Sequence, residues 1–121
     1  REQYWQPYHE RLQRTLDELR ARHGFALLWD AHSIRSTVPR LFDGRLPDFN
    51  LGTAVGRSCA PSLAARLQAI AVGASGFTSV LELSMATYMD DGPPYAFQEA
   101  RAATVRPHLR AMLQAMLAFE P

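Results

Sequence analysis

Leu27-Leu28-Trp29-Asp30-Ala31-His32-Ser33-Ile34-Arg35-Ser36 is the stretch on which the reading of this chain turns. Residues 25–29 are apolar, and they run straight into a polar turn with a carboxylate, an imidazole, two hydroxyls and a guanidinium. This pattern predicts a buried central strand over residues 25–29 with its polar exit at the C-terminal edge of a sheet. Loops converge on ligands at that edge in open α/β folds. Asp30 and His32 are two residues apart, so extended backbone turns both to one side. One imidazole nitrogen is then available to a metal or a proton, while the carboxylate fixes the ring and its tautomer. The plain alternative is a capped strand end in which His32 is only hydrogen-bonded, and Asp-x-His alone does not separate the two.

Upstream, residues 2–23 carry Trp5, Tyr8, Leu12, Leu16 and Leu19 at helical spacing, which predicts one apolar helix stripe. Pro7 suits the first turn, Arg20, Arg22 and His23 suit the last, and Gly24 suits the residue beyond it. His9, beside Tyr8, reads as a packed or surface histidine. A helix feeding a buried strand is half of an α/β unit.

Downstream, residues 37–58 show neither period and contain Pro39, Gly44, Pro47, Gly52 and Gly56. A structureless stretch of about twenty residues in a compact domain points to a functional loop, with a plain surface connection as the alternative. Pro61 opens a predicted helix over residues 60–72, with Leu63, Leu67 and Ile70 on one face. Residues 73–76 read as a turn and residues 77–83 as a second strand. That strand carries Glu82 between two leucines, and a carboxylate there needs a partner or a purpose unless the strand is an edge facing water. After the break at Gly92-Pro93-Pro94, residues 95–119 read as a helix. Its expected core face is Leu109, Met112, Leu113, Met116 and Leu117; Pro107 is expected to kink or divide it, and the adjacent His108 to be exposed.

The totals limit the rest. The chain has 121 residues, enough for a single domain, and 47% of them are hydrophobic, the content of an ordinary globular core. The net charge of +1 provides no global field for nucleic acid or anionic lipid. All thirteen basic residues are arginine, so each can make a forked contact to a carboxylate. A lone cysteine, Cys59, allows neither an intrachain disulfide nor a thiolate metal cage. No apolar run approaches the roughly 20 residues of a membrane span. The polar start, Arg-Glu-Gln-Tyr-Trp, is unlike a signal peptide, and a cytoplasmic protein is expected.

Taken in order, Tyr4-Trp5-x-Pro7-Tyr8-His9, residues 28–36, residues 39–53, Gly56-x-Ser58-Cys59 and Glu82-Leu83 leading to Thr87-Tyr88-Met89 resemble the N-formylglutamate amidohydrolase family. The resemblance covers nearly the whole chain. It implies a fold like that of the zinc carboxypeptidases and aspartoacylases, a mixed α/β sheet flanked by helices with one zinc at the strand ends. It also implies hydrolysis of the amide of N-formyl-L-glutamate, or a related acidic N-acyl amino acid, to glutamate and formate in histidine degradation. By this resemblance His32 matches a histidine ligand of the zinc, Glu82 the general base and acid, and Asp30 a residue behind the ligand. Arg35, Asn50 and Thr53 are then candidates for holding the substrate, with Arg40 and Arg45 pairing with Asp43 and Asp48 to shape the loop.

The chain also departs from the family. Two further zinc ligands of such relatives come from a segment before the position matching Arg1, and a glycine- and arginine-rich stretch is absent between Val80 and Leu81. The chain is therefore expected to be the C-terminal part of a larger amidohydrolase domain. The alternatives are a truncated, inactive homologue acting as an interaction or scaffold domain and, more weakly, an arginine-rich surface for nucleic acid. The interspersed acidic residues argue against the last.

Overall fold

The structure, a computed structural model, describes residues 1–72, 77–78 and 82–121. It divides into two compact units, Arg1–Trp29 with Pro121, and Asp30–Glu120.

The first unit is built on α1 (Trp5–His23). Gly24 ends it in the left-handed region at φ +82° and returns its N–H to the Arg20 carbonyl at 2.8 Å, a stop that glycine makes without a Cβ penalty. No residue of α1 is buried. Its first turn is held by side chains instead. His9 stacks on Trp5 at 4.0 Å between ring centroids, and the Arg1 guanidinium lies 4.5 Å over the same indole.

The expected strand over residues 25–29 is absent. Those residues join no strand among the described ones, and Leu28 is exposed. A run of apolar residues becomes a strand only where a ladder partner is available, and here pairing begins at His32. His32 therefore opens its strand and does not follow one.

The second unit is a small α/β fold. Its strands are β1 (His32–Ile34), β2 (Phe49–Asn50), β3 (Phe77–Thr78) and β4 (Glu82–Ser84), in the spatial order β1-β4-β2-β3. β1 runs parallel to β4, β2 antiparallel to β4, and β3 parallel to β2. The strand that carries His32 is thus an edge strand and not the centre. Residues 77–83 do not form one strand either. Residues 77–78 pair on one side of β2 and 82–84 on the other, and residues 73–76 and 79–81, with the Val80-Leu81 junction, lie outside the described residues.

Residues 37–58, expected to be structureless, supply β2, whose Phe49 and Asn50 are buried. Two residues are too short for a period to register in the sequence. α2 (Pro61–Val72) and α3 (Glu99–Leu117) pack on each other through Leu63, Leu67 and Ala71 on one side and Ala102, Val105, Met112 and Ala115 on the other. On α3 the alanines Ala102 and Ala115 are buried, whereas Leu113 and Leu117, expected in the core, are exposed. α3 runs unbroken through Pro107. His108 is half-buried, with its ring 5.9 Å from that of Phe49, against the expectation of exposure. No helix among the described residues is long and apolar enough to cross a membrane.

Candidate functional site

The sheet brings the candidates together in one transverse row. His32 is in register with Glu82 on the neighbouring strand, Glu82 with Asn50, and Asn50 with Thr78. Fifty residues of sequence separate His32 from Glu82, and β4 sets their backbones side by side.

His32 and Asp30 meet as their spacing predicts. His32 Nε2 lies 3.0 Å from Asp30 Oδ1, although Asp30 precedes the strand. Both side chains are more than half exposed, at 59% and 71%, so the pair contributes about 0–1 kcal/mol to stability. Its consequence is orientation. The carboxylate beside Nε2 sets how the ring is turned and leaves Nδ1 away from Asp30.

Asn50 and Thr53 are both engaged locally. The Asn50 side chain is buried and donates from Nδ2 to the Pro47 carbonyl at 3.0 Å. Thr53 Oγ1 accepts the N–H of Gly56 at 3.1 Å, closing a turn in which Ala54, Val55 and Gly56 are all left-handed, with φ of +46°, +59° and +78°. Val55 is β-branched and fully exposed, so this conformation is strained and held only by the turn around it. Arg35 is exposed, and among the described residues its guanidinium makes no hydrogen bond or ion pair. The expected Arg40–Asp43 pair does not form among the described residues. Burial pushes the Cys59 thiol up, against a smaller opposing effect of the Ala64 backbone. A thiol so placed is a poor nucleophile at neutral pH.

Sequence reasoning assigned nothing to Ser36, Tyr88 and Asp91. Ser36 is buried and gives its N–H, at 2.9 Å, and its hydroxyl proton to Asp91 Oδ2; Ser33 Oγ and Tyr88 OH share a hydrogen bond of 2.7 Å. Each contact spans 55 residues, and no local spacing announces it.

The model of the N-formylglutamate amidohydrolase family matches residues 1–115. This chain belongs to that family. It is 45% identical over 143 residues to an N-formylglutamate deformylase of Pseudomonas putida, a match that covers 98% of this chain and 54% of the relative. A protein of the same name from Pseudomonas aeruginosa is 44% identical over 140 residues, covering 95% and 53%. The chain spans about half the length of the curated relatives it matches. No solved structure matches it.

Family membership sets a test for the expected zinc. A catalytic zinc takes about three protein ligands and keeps an open position. Among the described residues no three His, Cys, Asp or Glu side chains are grouped to hold a metal. His32 offers one nitrogen, and its Asp30 neighbour is committed to the other. The described residues of this family member therefore do not make up a zinc site.

Proposed function

We propose that this chain carries part of the machinery that hydrolyses the amide bond of N-formyl-L-glutamate, or of a related acidic N-acyl amino acid. The observation that carries the reading is the match at 45% identity to a protein named N-formylglutamate deformylase, along 98% of this chain. The register of His32 with Glu82 supports it from the side of geometry.

In this reading Glu82 is the general base and acid. It takes a proton from the attacking water as the water oxygen bonds to the formyl carbon. It then gives that proton to the amide nitrogen as the carbon–nitrogen bond breaks, releasing formate and the amino acid. His32, oriented by Asp30, is the proposed zinc ligand. That assignment needs about two protein donors besides His32, and the described residues hold no group of three that could form such a site. The substrate has two carboxylates, and a guanidinium recognises a carboxylate by paired N–H donors. Arg35 is the candidate that, among the described residues, is free to do so, whereas the Asn50 and Thr53 side chains already serve their own turns.

The test is formate release from N-formyl-L-glutamate by the purified chain supplied with zinc. Release that exceeds the rate on N-acetyl-L-leucine supports an amidohydrolase selective for acidic substrates. Absence of release at any zinc concentration overturns the assignment of activity to this chain and favours the scaffold alternative.

A further inference from the structure

β1 is three residues long, lies at the sheet edge and is paired, among the described residues, with β4 alone. So short a ladder is a weak guarantee of register, and a slip of one residue would turn His32 to the other face of the sheet. Two side-chain clasps reinforce it. Ser33 is bonded to Tyr88, and Ser36 donates both its N–H and its hydroxyl to Asp91. The Ser36 carbonyl also accepts the N–H of Leu46 at 2.6 Å. Tyr88 and Asp91 both lie on the segment leaving β4, so each clasp ties the strand of His32 to the chain that carries Glu82. The serines are three residues apart and so are their partners; a slip of either strand breaks both contacts.

Asp91 Oδ1 is buried and, among the described residues, has no hydrogen-bond partner, so the hydrogen bonding of this carboxylate is directed at Ser36. An unpartnered buried carboxylate oxygen is unfavourable, and packing alone would be better served by an apolar side chain. We infer that Asp91, acting through Ser36, is a positioning residue that sets the register of β1 on β4 and hence the place of His32 beside Glu82. The effect on hydrolysis rests on the proposed function, whereas the effect on register does not.

The experiment compares the chain with D91A, D91N, S36A and Y88F by amide hydrogen exchange and by formate release. D91A is expected to raise exchange at Ser36, Leu46 and β1 by about tenfold or more, with the α2 and α3 amides within about twofold of wild type. D91N keeps an acceptor oxygen for Ser36 and is expected to recover most of that protection. In the formate assay, kcat of D91A should fall by about tenfold or more while KM changes little, and D91N should restore part of it. Exchange that rises evenly across β1, α2 and α3, or not at all, overturns the inference, as does locally raised exchange with unchanged kcat. If D91A does not fold, S36A and Y88F, each lacking a single hydroxyl, are judged by the same local pattern. A wild-type chain that releases no formate sinks the proposed function and leaves the exchange pattern to decide the register.

Discussion

His32 on β1 and Glu82 on β4 are in-register partners on parallel strands, and the row continues to Asn50 on β2. A proton carrier is effective only at about hydrogen-bond reach of its target, and neighbouring strands lie about 5 Å apart, so this pairing sets the two residues side by side. Glu82→Gln keeps the size of the side chain and removes the base. It is expected to lower turnover by about a hundredfold or more with little change in melting temperature. Steady-state kinetics of formate release and a thermal melt check this; full activity in the variant would remove Glu82 from the mechanism.

The α2–α3 contact makes a separate prediction about stability. Met112 is 1% exposed between the helices, whereas Leu117 on the same helix is 87% exposed. Met112→Ala leaves a cavity and is expected to cost about 2–5 kcal/mol. Leu117→Ala, at the surface, should stay within about 0.5 kcal/mol. Urea titration of both variants distinguishes them. Similar losses at the two positions would mean that the helix face is not the one described.

How much of this was legible in the sequence varied with the range of the interaction responsible. Local signals carried the helices. The Gly24 stop, Pro61 and the apolar spacing of Leu63 and Leu67 each act within a turn or two, and α1 and α2 lie close to their expected bounds. The sheet was less legible because a strand is defined by its partner. Residues 25–29 join no strand among the described residues, while Phe49 and Asn50 became a middle strand with only two residues to show for it. At the candidate site the Asp30–His32 contact followed from a spacing of two. The Asp91–Ser36 contact could not, because residues 55 apart leave no periodic trace. The expected face of α3 holds at Met112 and fails at Leu113 and Leu117, because weighting large side chains passes over the buried Ala102 and Ala115.

Glu99 and Arg106 give a prediction about pH. The Arg106 guanidinium donates to both Glu99 oxygens, at 2.5 and 2.7 Å, seven residues apart on α3. This hydrogen bonding holds the Glu99 carboxyl below its ordinary value and raises Arg106 above its own. A carboxylate depressed on folding contributes stability above its unfolded pKa and loses it as pH falls through the folded value. Arg106→Gln should therefore melt below wild type at neutral pH. The gap should close as pH falls through the lowered Glu99 value, and also in about 1 M salt, because the pair is exposed and screened. A gap that persists under both conditions would show that Arg106 acts through packing of its stem.

Arg35 offers the sharpest separation between a binding and a structural role. It is three residues beyond His32, exposed, and among the described residues makes no hydrogen bond or ion pair, while its neighbour Ser36 is anchored to Asp91. The anchor fixes the backbone from which the guanidinium projects, and among the described residues its planar fork is unpaired. A dicarboxylate such as N-formyl-L-glutamate is a partner of the right charge and geometry. Arg35→Lys keeps the charge and loses the fork. A binding role predicts that KM rises by about tenfold or more, as expected for losing one charge-assisted hydrogen bond, with kcat and melting temperature nearly unchanged. An uncharged Arg35→Gln variant should raise KM further, and the difference between the two should shrink with added salt, since the point charge of lysine is what the salt screens. If instead Arg35→Lys melts several degrees lower at unchanged KM, the side chain supports the fold, and the dicarboxylate must be held by other residues.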